Sequence, residues 1–187
     1  RDGDVVLERA ICRGDFGSVT AQGQPSSGKF SVELDLDRLA SHLNQFFDMR
    51  EFRLAGEIRG HGDWRMGHGQ FHTSAELTAR RFELTQPQKI PWREEQLRID
   101  GRLSGAATNG RITRIDRGRV ELKSAGDHLE VALLEAVAVP NQGAVWPMHC
   151  DISGELSSWM ARLQPILDIN PWRARGRFNV RTQLNYA

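Results

Sequence analysis

Lysine, tyrosine and cysteine are nearly missing from this chain of 187 residues. Lys29, Lys89 and Lys123 are the only lysines among the 25 basic residues, so arginine carries almost all the positive charge. Against 24 acidic residues the net charge is +1, and the basic residues are spread along the chain rather than clustered, so no electrostatic case for a nucleic-acid partner follows and none is expected. Cys12 and Cys150 have no CxxC spacing, so no zinc cage is encoded and two buried free thiols are expected. A disulfide between them needs their strands to be close in space. No apolar run reaches membrane length and no signal peptide is recognisable. The chain opens at Arg1 without a methionine and is read as an internal segment, with any membrane attachment in segments outside it. GxSxG, HExxH, a P-loop and a GxGxxG before a helix are all lacking, so no catalytic residue and no cofactor is expected and the chain reads as non-enzymatic.

What is present is a pattern that returns. Residues 32–58 (VELDLDRLASHLNQFFDMREFRLAGEI) align without a gap to residues 152–178 (ISGELSSWMARLQPILDINPWRARGRF), an offset of 120. Leu36/Leu156, Leu43/Leu163, Asp48/Asp168, Arg53/Arg173 and Gly56/Gly176 are identical, and eleven of the thirteen apolar positions of the first copy are apolar in the second. That agreement argues for a duplicated unit. Val32, Leu34 and Leu36 alternate with Glu33 and Asp35, the period of a half-buried strand. Leu36, Leu39, Ala40, Leu43, Phe46 and Phe47 then form one stripe of a short helix, with Asp37 as its expected N-cap. Phe52, Leu54, Gly56 and Ile58 return to a period of two. In the second copy Ser157 or Ser158 is the expected cap, and Pro165 predicts a kink or an early stop.

Elsewhere the chain reads as strands with one apolar face, about ten in all, and Asn109-Gly110 is the strongest hairpin signal. One register is expected in detail. If the numbers of paired residues sum to 131, Phe52 faces Ala79, Leu54 faces Leu77, Ile58 faces Thr73 and Gly60 faces Phe71, with the turn bracketed by Trp64 and Gly67. The other face then holds His61, Asp63, His68 and His72, the nearest approach to a metal constellation, which is read as solvated histidines without a metal.

The expected fold is mainly β (α+β): a long curved antiparallel sheet forming a groove or partly open barrel, with two short amphipathic helices. It is read as a single domain over 1–187, with repeat units 30–64 and 150–184 joined by a strand-rich segment 65–149. Two short helices are thin cover for ten strands, and an apolar sheet face needs a second layer. Either the sheet curls on itself, or its apolar face holds something that is not in the chain. The residues expected to line that face are Phe52, Leu54, Ile58, Phe71 and Leu77, with Leu43 and Phe46 from the first helix.

Phe30 to Trp64 (FSVELDLDRLASHLNQFFDMREFRLAGEIRGHGDW) combines a strand ending in LDLDRLA, a short helix and a strand of the form RLAGEIRG. This resembles the repeated unit of the AsmA-like, TamB-like superfamily of the bacterial envelope. The preceding hairpin, VVLERAICRGDFGSVTAQG, is similar to segments of the same family. The resemblance implies a periplasmic segment of a protein anchored in the inner membrane, a curved sheet with an apolar inner surface, lipid as the partner, and a role in lipid movement or outer-membrane maintenance. The alternative expectation is a structural or protein-interaction module whose helices close its own core.

Overall fold

The computed structural model describes residues 7–45, 52–87, 89–139, 145–165, 167 and 173–186. Eleven strands and two helices follow one another as β1 (Leu7–Gly14), β2 (Gly17–Gln24), β3 (Ser27–Asp35), α1 (Leu36–Leu43), β4 (Arg53–Gly67), β5 (Gln70–Thr85), β6 (Trp92–Thr108), β7 (Arg111–Ser124), β8 (Asp127–Leu133), β9 (Val137–Ala138), β10 (Trp146–Glu155), α2 (Leu156–Leu163) and β11 (Arg177–Tyr186). The eleven strands of the described residues belong to one antiparallel sheet in the order β1-β2-β3-β4-β5-β6-β7-β8-β10-β11, with β9 paired to β7. The sheet is open, with β1 and β11 at its edges.

Alternation produces this sheet directly, because residues facing each other across a ladder share a face. Leu34 faces Ile58, Ile58 faces Ala79, Ala79 faces Leu97, and the neighbouring Ile99 faces Leu122. Leu122 faces Leu129, Leu129 faces Ile152, and Ile152 faces Val180. One side of the sheet is therefore apolar from strand to strand. Three hairpins close on residue pairs with positive φ: His68-Gly69, Asn109-Gly110 and Ala125-Gly126. Such mirror-image turns match the right-handed twist of the flanking strands.

The β4–β5 register differs from the expected one. Ile58 faces Ala79 and Gly60 faces Leu77, and the turn is His68-Gly69, so Trp64 and Gly67 are strand residues. The displacement is six residues. Six is even, so the division of side chains between the faces is unchanged although every partner is different. A bulge lies between Ala55 and Glu57, opposite Arg81 with its φ of 50°, and beyond it Leu54 faces Leu84.

The helix caps also differ. Asp35, not Asp37, caps α1, accepting a hydrogen bond from Arg38 N at 3.0 Å, while the Asp37 carboxylate accepts one from Gly56 N at 3.2 Å. Neither Ser157 nor Ser158 caps α2; Glu155 holds that position, and its N–H donates to Asp127 Oδ1 at 2.7 Å. Gln164 ends α2 immediately before Pro165, the early stop expected there. Phe46, Phe47, Asp48, Ile166 and Asp168 lie outside the described residues.

Two strand–helix–strand segments share helix bounds and a strand pairing, although α1 packs on β4 and α2 on β6 and β10. Adding 120 to Leu36–Leu43 gives Leu156–Leu163, and adding it to the pair Leu34/Ile58 gives Gly154/Phe178, which is the observed pair. Gly56 and Gly176 have φ of 113° and 112°. Both helices leave the sheet at the same end of their strands, and α2 lies over the apolar face there. Its Arg162 reaches Glu94 and Asp127, and its Trp159 is buried, donating from Nε1 to Ser153 O at 3.1 Å.

The buried apolar residues are few: Leu36, Ala55, Phe71, Ala79, Leu97, Val137 and Trp159. Val120, in the middle of the sheet and on its apolar side, is 51% exposed. No helix among the described residues is long and apolar enough to cross a membrane.

Candidate functional site

The uncovered part of the apolar face has a relief set by residue size. One row across the strands holds Gly62, Ala75 and Gly101 on β4, β5 and β6, then Val120 and Val131 on β7 and β8, then Cys150 and Thr182 on β10 and β11. No side chain in it is larger than valine. The row on one side carries Leu77, Ile99, Leu122, Leu129 and Ile152; the row on the other carries Leu103, Leu133, Met148 and Leu184, with the smaller Thr73 on β5 and Gly118 on β7. Small residues between large ones leave a trench that crosses the strands.

Part of this trench is a cavity of about 350 Å³ whose lining includes Thr73, Ile115, Leu133, Trp146 and Met148. Thr73 belongs to β5 and Met148 to β10, four steps apart in the sheet order. In a flat sheet that separation is roughly 19 Å, so the cavity extends across five neighbouring strands. Register shifts between Ser104 and Gly105 and between Ala106 and Ala107 bend β6 against β7 at this point. Arg102 and Arg119 border the cavity but face each other on the opposite side of the sheet. No charged side chain of the facing rows points into the groove.

Both thiols are on the apolar face, Cys12 opposite Val19 and Cys150 opposite Val131. They are free, and neither is buried as expected: Cys12 is exposed and Cys150 half-buried. Burial, with the neighbouring Asp151 charge, raises the pKa of the Cys150 thiol, which keeps it protonated and unreactive.

The other face alternates sign by row. Glu76, Asp100, Glu121, Glu130 and Asp151 oppose one another across five strands. Like charges directly opposite are unfavourable; residues of the neighbouring rows, and Arg181 at the β11 end of the same row, neutralise them. Arg98 bonds Glu76 at 2.8 Å and Asp100 at 2.9 Å, Lys123 bonds Glu121 at 2.7 Å, Arg119 bonds Glu130 at 2.7 Å and Arg181 bonds Asp151 at 2.6 Å. Glu121, His128 and Glu130 bring their ligand-capable atoms within 4.8 Å of one another, a grouping the sequence reading did not single out. These same atoms serve the ion pairs, His128 lying 2.9 Å from Glu121.

The Lys123 hydrogen bond, against the opposing effect of burial and with help from His128 and Arg119, holds the Glu121 pKa below its ordinary value. A carboxylate with a lowered folded pKa contributes stability that is complete above its unfolded pKa and lost as pH falls through the folded one. The melting midpoint is therefore expected to drop as pH is lowered from about 5 towards about 3. Glu121→Gln should make that drop shallower, and parallel profiles for the two proteins would refute the assignment.

The residues expected from sequence to line the apolar face are placed as follows. Ile58, Phe71 and Leu77 lie on it, Phe71 being 4% exposed. Leu54 faces Leu84 beyond the bulge, Phe52 precedes β4 and is 41% exposed, and Leu43 is the last residue of α1 and half-buried. Phe46 lies outside the described residues. None of the described six lines the cavity, which sits on β5 to β8 and β10. Leu103, Val120, Val131, Leu133 and Met148 do line it. Alternation in β6 to β10 marks them as inward, but nothing local shows where on the face the cavity lies. The four-residue metal constellation is not assembled: His61, His68 and His72 are exposed, and Asp63 is half-buried, accepting from Ser74 Oγ at 2.6 Å.

In comparisons with known protein families, curated proteins and solved structures, nothing matches this chain.

Proposed function

We propose that this chain is a non-enzymatic, lipid-binding segment of an AsmA-like envelope protein, holding or conducting lipid along its apolar sheet face in the periplasm. The observation that carries this reading is the combination of an apolar face running from β1 to β11 with cover, among the described residues, only at the helix end. Large exposed apolar surfaces on a folded chain mark binding sites, and the row that floors the trench carries no charged side chain, with Thr182 at its β11 end as its one hydroxyl. Membrane attachment, in this reading, belongs to segments outside the chain, and the role is in outer-membrane maintenance. The shared helix bounds and register of β3–α1–β4 and β10–α2–β11 support reading the segment as built on a repeated unit. The competing reading, a module whose helices close its own core, requires the middle of the face to be covered, and Val120 is 51% exposed.

Native mass spectrometry of the purified protein tests the proposal. Phospholipid is expected to co-purify, and delipidated protein is expected to take up phospholipid from vesicles. Protein that carries no lipid and takes up none would overturn the reading.

A further inference from the structure

Gly101 lies in the middle of β6, a position where glycine costs a strand both backbone entropy and packing. Other glycines of the apolar face are explained by what lies over them. A Cβ at Gly60 would collide with Leu77, one at Gly62 would stand 2.5 Å from the Phe30 ring, and one at Gly118 would stand 3.3 Å from Leu103 Cδ1. A Cβ at Gly101 would meet nothing within 4 Å, and its φ is not in the left-handed region. Among the described residues nothing lies over Gly101 that requires a glycine. A strand glycine marks a bulge, a tight bend or a place where a ligand or another backbone approaches closely; the β6–β7 pairing is regular from Arg98 to Ser104, so no bulge falls at Gly101, and Gly101 lines the cavity.

We infer that Gly101 is the floor of the seat for one hydrocarbon chain, which crosses β5, β6 and β7 over Ala75, Gly101 and Val120, between Ile99 on one side and Leu103 on the other. This rests on the lipid reading above and adds where the chain lies and which residue sets its depth. The seat selects alkyl chain over other occupants. Ladder pairing on both sides of β6 uses its backbone groups, so a peptide strand finds no hydrogen-bond partner there. No facing side chain is charged, so a headgroup finds no counter-charge. The Phe30 ring lies over Gly62, and the rest of the row, from Ala75 on β5 to Thr182 on β11, spans five inter-strand spacings, roughly 24 Å at about 4.8 Å each. One leaflet's acyl chain spans about 15 Å, half of a hydrocarbon core of about 30 Å, so such a chain fits lengthwise.

The test is Gly101→Leu in the full chain, titrated after delipidation with the fluorescent fatty acid parinaric acid. Filling the seat is expected to weaken binding by about tenfold or more. The melting midpoint should be unchanged or higher, because leucine suits a strand better than glycine. Ala21→Leu, on the same face but on β2 and outside the cavity, should bind as the parent does. Equal binding by Gly101→Leu and the parent would overturn the seat while leaving the lipid reading intact. A Gly101→Leu protein that fails to fold would also overturn it, showing the glycine to be structural. A parent that binds no parinaric acid would overturn the lipid reading itself.

Discussion

Arg162→Met is expected to destabilise the protein by about 3–5 kcal/mol, a large part of the 5–15 kcal/mol that holds a typical domain folded. Arg162, Glu94 and Asp127 have side chains only 5%, 6% and 5% exposed. Arg162 Nε donates to Glu94 Oε1 at 2.7 Å and Nη1 to Asp127 Oδ2 at 2.8 Å, while the guanidinium lies 4.7 Å from the Trp159 ring centre. Glu94 also accepts from Trp92 Nε1 at 2.8 Å and from Ser124 Oγ. Methionine replaces much of the arginine volume but leaves two carboxylates buried without their cation, and an uncompensated buried charge is the costly outcome. Replacing all three residues together with apolar ones of similar volume should recover most of the loss, because the intact cluster has its own desolvation cost to offset. Denaturant titration of the single and triple variants checks both statements. An Arg162→Met protein within about 0.5 kcal/mol of the parent, the scale of an ordinary surface substitution, would show that the cluster does not hold α2 to the sheet.

Val120→Asp is expected to abolish lipid binding while the protein stays folded. Val120 is 51% exposed in the trench, opposite Gly101 and Val131. In the empty groove a carboxylate there reaches water, so the cost is about 1 kcal/mol, the scale of strand preference. Beneath an acyl chain the same carboxylate loses its water and gains no partner, and aspartate is too short to bring its charge to the groove's edge. Thermal unfolding followed by circular dichroism, with bound phospholipid measured on the same samples, separates the effects. Unfolding of the variant would indicate a closed core at this position. Undiminished lipid in a folded variant would place the lipid elsewhere.

How far the fold was legible follows from the range of each interaction. Alternation acts between neighbours along the chain, so Leu97, Ile99 and Leu103, or Leu129, Val131 and Leu133, show their shared face without knowledge of any partner. Asn109-Gly110 announced its hairpin for the same local reason, whereas His68-Gly69 and Ala125-Gly126 adopt similar turns with a first residue that rarely signals one. Displacing the β4 turn to His68-Gly69 moved the expected register by six residues, an even number, which is why the faces survived and the partners did not.

The candidate site was legible only as a face. By itself the sequence determined a two-sided, mainly antiparallel sheet with two short helices at equivalent places, because residue periodicity and the stop at Pro165 operate within a few positions. The tertiary structure decided the rest. The register shift at Gly105, which pairs with Ile115, lies beside the cavity, and the cavity sits on β5 to β8 and β10 rather than beside Phe52 and Leu54. Packing across the sheet joins Arg162 to Glu94 and Asp127, which lie 68 and 35 positions away along the chain. Whether an arginine stands in water or in a buried cluster is determined by what folds against it, and no local pattern around Arg162 carries that information.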